Sequence, residues 1–391
     1  MHIALITIGA SGHVNVTLPF VAELVRRGVR VTYFATEDFR KTVSFTGADF
    51  IAFDSILNKP GQDIAKDMIA ELPLRLLSEA DYIISQILPI LEQDRPDAIV
   101  YDTLALAGRL AVAALKVPSI QIYPSYAAND KFSSAKSFPP VPDTHPARAA
   151  AKELANDLTR RFGVPHLDIF EIFEGAAEFN IVFILRAFQP AGETFDDSFV
   201  FTAAQIAPRD NAGTWQAPAN DKPIIYASLG TLFTDWPEFF HMLFAAVKDL
   251  PVNVVASIGK TLTAEMLAPI PENVTVANYL PQLDILQKAD LFITHAGTGS
   301  VMEALSYAVP MIAIPMMPEQ GITAARLAEL NLGITFDKNT LTAEMLKAAI
   351  EKVLGDPAYQ EKADFMKREM KKSGGYELSA SKIIEYFESK I

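Results

Sequence analysis

Short apolar runs alternate with longer amphipathic stretches along nearly the whole chain, and this rhythm limits the possible folds more than any other feature of the sequence. In the first half the runs are HIALITI, VRVTYFA, DFIAF, DAIVYD, PSIQIY and NIVFIL. In the second they are PIIYASLG, VNVVASIG, NVTVANY, DLFITHAG, VPMIAIP and LGITFD. Runs of this kind suit strands buried on both faces, and the intervening stretches, such as LPFVAELVRRG ending at Gly28, suit helices. The alternation predicts an α/β protein with parallel sheets. At 391 residues the chain exceeds what one core normally supports, and with 50% hydrophobic residues it has material for two. The rhythm breaks at APRDNAGTWQAPANDK, residues 207–222, a Pro-, Gly-, Asn- and Asp-rich stretch that reads as a linker. The domains expected are therefore 1–206 and 223–375, with a last amphipathic helix over 376–391 after Gly374-Gly375. The two halves share an architecture and not a sequence.

Composition narrows the class of partner. The net charge of −13 disfavours nucleic acid and anionic membrane as principal partners, though backbone N–H groups can still cradle a small anion. The absence of cysteine removes disulfides, thiolate nucleophiles and Cys-based metal sites. No leader pattern and no apolar run of spanning length is visible, so the expectation is a soluble cytoplasmic protein. Neither a His-Glu-x-x-His motif nor an Asp-x-Asp pair occurs, so no metal site is expected. His2, His145, His166 and His241 lack partner spacing and read as structural or solvated.

Two glycine turns remain. In DLFITHAGTGSVMEALSYAVP a strand ends at His295, the turn Ala296-Gly297-Thr298-Gly299 follows, and a helix begins near Ser300. Glycines allow close approach of the backbone, the helix start attracts phosphate, and Glu303 one turn on lies within reach of a ribose hydroxyl pair. The plainer reading is a helix capped by Thr298 or Ser300, with His295 a satisfied strand-end residue. In ITIGASGHVNVTLPF, residues 6–20, Gly9-Ala10-Ser11-Gly12-His13 follows the first strand, and Asn15 stands where a dinucleotide fingerprint has its third glycine. That leaves a worn nicotinamide site, or a turn presenting His13 to something else.

The run from 290 to 333 closely resembles the signature of the UDP-dependent glycosyltransferases that act on small molecules, in its bacterial macrolide-and-flavonoid branch. The matching residues are His295, Gly297, Ser300, Glu303, Ala304, Pro310, Pro315, Glu319 and Gln320, with Tyr279, Pro281 and Gln282 upstream. YASLGT, residues 226–231, resembles the strand and turn that open the family's donor domain, and FQPAGETFDDSFVFTAAQI resembles the approach to its linker. The resemblance spans essentially the whole chain. It implies a GT-B fold of two facing Rossmann-like domains, the first binding acceptor and the second nucleotide sugar, with the last helix packing back on the first.

For the donor, the resemblance implies that Tyr279 stacks on uracil, where many relatives have Trp, and that Gln282 contacts the base or its surroundings. Ser228, Gly230 and Thr231 belong to the donor turn. His295, Ser300 and the Gly297-Thr298-Gly299 turn hold the diphosphate, Glu303 takes the ribose, and Glu319 and Gln320 bond the sugar. His13 is implied to be the catalytic base, oriented by Asp102 at the end of DAIVYD. Imidazole is chemically apt, because an acceptor hydroxyl is a poor nucleophile until a base takes its proton. Tyr123, Tyr126, Phe132 and Phe138 are candidates for an apolar acceptor pocket.

The implied reaction is inverting transfer of a hexose, glucose first, from a UDP-sugar co-substrate to a hydroxyl of a flavonoid, macrolide or terpenoid, with no cofactor. A UDP-sugar epimerase or hydrolase on the same fold is the alternative. A nicotinamide dehydrogenase is disfavoured by Asn15, and a non-catalytic sensor by the presence of both His13 and Asp102.

Overall fold

The structure is a computed structural model that describes residues 1–57, 68–139, 141–142, 144–164, 167, 175–203, 206, 215–230 and 235–390. The chain divides into two compact units, residues 1–206 with 373–391, and residues 207–372. Of the expected linker, 207–214 lie outside the described residues, and 215–222 carry neither helix nor strand.

The first unit is built on a seven-stranded parallel sheet. Its strands are β1 (His2–Ile6), β2 (Arg30–Ala35), β3 (Asp49–Ala52), β4 (Ala98–Asp102), β5 (Ser119–Tyr123), β6 (Asn180–Val182) and β7 (Phe199–Phe201). They lie in the order β3-β2-β1-β4-β5-β6-β7. The register sets Leu5 beside Tyr33, and Ile6 beside Tyr101. Side chains alternate across the sheet, and both faces are covered, as the unbroken apolar runs require. Ile3 and Leu5 pack with Phe20, Val21 and Leu24 of the helix Leu18–Arg26, whereas Ala4 and Ile6 pack with Ile83, Ile84 and Ile87 of the helix Met68–Gln93. The sequence pattern predicts six of these strands. β7, Phe199–Phe201, is the strand not among them.

The C-terminal helix Gly375–Glu388 belongs to this unit. Ala380, Ile383 and Phe387 join the cluster of Ile3, Leu5 and Phe20, and the Ser379 hydroxyl lies 3.0 Å from Thr202 Oγ1. The ring of Tyr386 stacks on Phe179 with centroids 4.8 Å apart. Gly374, at φ +77°, makes the turn into this helix, and a Cβ there would sit 2.7 Å from Leu378 Cβ.

The second unit repeats the plan with a six-stranded parallel sheet. Its strands are β8 (Ile224–Ser228), β9 (Asn253–Ser257), β10 (Val274–Ala277), β11 (Leu291–Thr294), β12 (Met311–Ala313) and β13 (Gly333–Thr335). Their order is β10-β9-β8-β11-β12-β13, and all were expected from the sequence. Tyr226 and Phe292 stack across β8 and β11 with centroids 5.0 Å apart. In both sheets the strand order reverses beside the first strand: between β1 and β4, and between β8 and β11. Ligands of open parallel sheets bind in the crevice at the carboxyl ends of such strands. Among the described residues no helix is long and apolar enough to cross a membrane.

Candidate functional site

At the first reversal point, β1 runs into the one-turn helix Ser11–Val14, which carries His13, and β4 ends on Asp102. His13 Nδ1 and Asp102 Oδ2 are 2.7 Å apart. Asp102 is fully buried and the His13 side chain is 22% exposed, so the pair has a covered acid and a ring open at one edge. The other carboxylate oxygen accepts the backbone N–H of Leu104 at 2.8 Å. A carboxylate only accepts, so Nδ1 carries the proton and Nε2 is the basic nitrogen. The Leu104 contact was not anticipated from the sequence, because a backbone donor two residues after the acid leaves no compositional mark.

At the second reversal point, β11 ends at Thr294 and His295 opens the glycine turn. The helix Thr298–Ser306 follows, with Gly297 as its N-cap and no side-chain cap. The capped-helix reading therefore does not describe this end: neither Thr298 nor Ser300 caps, and the first-turn N–H groups have no side-chain acceptor from the N-cap. The His295 ring fills the space between two glycines. A Cβ on Gly230 would lie 2.6 Å from His295 Cε1, and one on Gly297 would lie 2.5 Å from His295 Nε2. His295 Nδ1 is shielded from solvent and has no hydrogen-bond partner among the described residues. Burial pulls the ring's pKa down to about 4, opposed in part by the nearby Ser228 backbone, so the ring is neutral near pH 7.

Beside this turn, Gln282 donates to Glu303 Oε2 at 2.6 Å and to Ser300 Oγ at 3.2 Å. Its own Oε1 accepts the Tyr226 hydroxyl at 3.4 Å. Gln282 is thus a strut between the expected ribose ligand and β8, on the side of the turn where the resemblance implies a contact with the base or its surroundings. The Tyr226 role was missed, although the residue lies in the quoted YASLGT. Tyr279 is 69% exposed, one of the few large aromatic side chains left open to solvent. Ser228 Oγ accepts the Gly230 N–H at 3.3 Å, and Thr231 lies outside the described residues.

Glu319 and Gln320 fall in the first turn of the helix Pro318–Glu329. Gln320 Oε1 accepts the N–H groups of Met316 and Met317 at 2.8 and 3.1 Å. Its carbonyl is occupied in capping its own helix, and its amide N–H groups are what it can offer a ligand.

The aromatic candidates of the first unit divide. Tyr123 is a core side chain, 1% exposed, with its hydroxyl on the Gly175 carbonyl at 3.3 Å, and Tyr126 is 5% exposed. Both pack within the unit: the Tyr123 ring lies 6.1 Å from Phe199, and Tyr126 packs edge-on against Phe132 at 5.8 Å. Phe132 and Phe138 are half-buried.

The remaining histidines have local roles. His2 bonds Thr32 at 2.8 Å, and the His145 ring caps the helix Pro146–Phe162 by accepting from Ala147 at 3.2 Å. His241 packs edge-on at 6.5 Å from Phe244, and His166 lies outside the described residues. Among the described residues no group of three or more His, Cys, Asp or Glu side chains is placed to hold a metal ion.

Comparison with known proteins adds the following. Residues 241–379 match the family described as erythromycin biosynthesis protein CIII-like, C-terminal domain. The chain is 37% identical over 390 residues to the NDP-glycosyltransferase YjiC of Bacillus licheniformis, covering 98% of this chain and 96% of that one. It is 34% identical to the demethyllactenocin mycarosyltransferase of Streptomyces fradiae, covering 98% of this chain and 86% of that one. Among solved structures it is similar to CalG4, the calicheamicin glycosyltransferase, with a TM-score of 0.88 and 30% identity over 100% of this chain and 98% of that one.

Proposed function

We propose a reaction from one premise: this chain belongs to the GT-B family of NDP/UDP-dependent glycosyltransferases, and is an enzyme that transfers a sugar. The reaction is inverting transfer of a hexose, glucose, from its α-linked UDP donor to a hydroxyl of an apolar small molecule. The observation that carries it is the 2.7 Å bond from His13 Nδ1 to Asp102 Oδ2. With Nδ1 committed to the carboxylate, Nε2 takes the acceptor proton as the acceptor oxygen attacks the anomeric carbon. The carbon–oxygen bond to UDP breaks on the opposite face, which gives a β-linked product. Asp102 holds the ring's tautomer and stabilises the imidazolium that forms, the part an aspartate plays in a hydrolase triad.

The second unit supports the donor assignment. The departing diphosphate gains negative charge, and the start of the helix Thr298–Ser306 supplies N–H groups and the positive end of a dipole. Neutral His295 acts there as a hydrogen-bonding group and not as a cation. Glu303, held by Gln282, suits a ribose hydroxyl pair, and exposed Tyr279 suits the face of uracil. The relatives named for demethyllactenocin and calicheamicin support a natural product as acceptor.

The deciding experiment measures UDP release from UDP-glucose with and without a panel of phenolic and macrolide acceptors, for wild type and His13→Ala. Acceptor-dependent release that falls about 10²–10⁴-fold in the variant supports transfer and the base together. Release independent of acceptor would point to hydrolysis or epimerisation, and release only from another nucleotide sugar would replace UDP-glucose as donor.

A further inference from the structure

His13 sits on a helix of one turn with Ala10 as N-cap and no side-chain cap, a segment unable to hold its own shape. Asp102 fixes the ring, so something else must fix the backbone beneath it. The described hydrogen bonds supply a buried relay. Thr17 Oγ1 lies 2.7 Å from the Val14 carbonyl and 2.7 Å from the Tyr33 hydroxyl, and Thr7 Oγ1 lies 3.4 Å from the same hydroxyl. Thr7, Val14, Thr17 and Tyr33 are each 0% exposed.

The proton order follows from chemistry. A carbonyl only accepts, so Thr17 spends its one proton on Val14. The Thr17–Tyr33 bond is therefore donated by Tyr33, whose oxygen in turn accepts from Thr7. Burial pushes the Tyr33 phenol well above its ordinary range, so it remains an O–H donor at every working pH. Thr7 is where the chain leaves β1, and Thr17 is the N-cap of the helix Leu18–Arg26. A single phenol on β2 thus clamps both ends of the segment that carries His13, and its terminal bond lands on the residue next to the base.

We propose that Tyr33, through Thr17, is a positioning residue for His13: it sets the backbone of residues 7–17 so that the imidazole meets Asp102 with Nε2 toward the acceptor. This rests on His13 being the base. Loosening the clamp leaves the protein folded but lets the ring leave Asp102, so the imidazolium loses its partner.

The test compares Tyr33→Phe, Thr17→Val, Thr17→Ser and His13→Ala in the UDP-release assay, with melting temperature measured in parallel. Two-bond ¹H–¹⁵N spectra of histidine-labelled protein report the His13 tautomer. Expected for Tyr33→Phe is a fall in kcat of about tenfold with KM for UDP-glucose unchanged, a lower-pH acidic limb of kcat, and a mixed His13 tautomer. Thr17→Val should reproduce these changes and Thr17→Ser should restore the wild-type values, which decides the matter if Tyr33→Phe does not fold. Folded Tyr33→Phe, or folded Thr17→Val, with wild-type kcat, pH profile and tautomer would overturn the clamp while a dead His13→Ala left the base assignment standing. Undiminished kcat in His13→Ala would overturn the base assignment, and the clamp with it.

Discussion

His295 shows how one buried side chain ties stability to pH. Its ring holds a pKa of about 4 in the folded chain against an ordinary 6.5, because burial disfavours the charged form. Between these values the unfolded chain binds the proton more readily, so stability rises with pH through this window and falls as pH drops from 6.5 toward 4. The expected outcome for His295→Gln is a smaller loss of melting temperature between pH 7 and pH 4.5 than wild type shows, measured by calorimetry at matched ionic strength. An equal loss would mean that other groups carry the acid sensitivity. Asp102 is a second residue whose role can be isolated. Asp102→Asn keeps shape but lets the amide donate to Nδ1, which moves the ring proton to Nε2 and blocks the base. A kcat lower by about 10²–10⁴-fold is expected, with UDP affinity by titration calorimetry unchanged.

At the scale of elements, the glycines Gly230 and Gly297 are space for an imidazole before they are anything else. Gly230 needs a positive φ of +81° as well as room, whereas the constraint on Gly297 is close approach alone. Gly297→Ala is therefore a clean probe: its Cβ would lie 2.5 Å from His295 Nε2 with no change of backbone region. The ring or the helix start must move, at a cost of about 1–3 kcal/mol, and UDP binding should weaken more than tenfold. Unchanged UDP affinity would show that the His295 position is irrelevant to the donor. The start of the helix Thr298–Ser306 was legible from its glycines. That its first turn lacks a side-chain cap was not, because Thr298 and Ser300 are both good capping residues by type.

At the scale of the molecule, each unit closes its own core, and the first recruits the chain's last helix to do so. Phe387 is fully buried in the cluster with Phe20 and Leu24, more than 350 positions away in sequence. Arg27 reinforces the join with a 2.8 Å bond to Ser381 while pairing at 2.7 Å with Glu23, whose carboxyl Arg26 and Arg27 together hold down at about 2. Phe387→Ala should destabilise the first unit by about 3–5 kcal/mol, seen as a lowered thermal transition, while the UDP binding proposed for the second unit persists at temperatures below it. Simultaneous loss of both would mean that the units do not unfold separately.

The sequence by itself determined the architecture and the chemistry on offer. Buried parallel strands need apolar runs on both faces, and that need is local enough to read from HIALITI or DLFITHAG. The turns at His13 and His295 were legible too, because glycine followed by a helix start is a short-range pattern. Tertiary structure alone decided which groups meet. Sequence likeness implied Gln282 near the base, and folding added the bond from its amide to Glu303, which no motif carries. Tyr123 is 1% exposed because of its place on β5, which residue type alone does not tell. The Tyr33 clamp joins Thr7 and Thr17 through a neighbouring strand, and no period along the chain encodes it. A hydrogen bond depends on where a donor finally points, and that direction is set by packing between elements far apart in sequence.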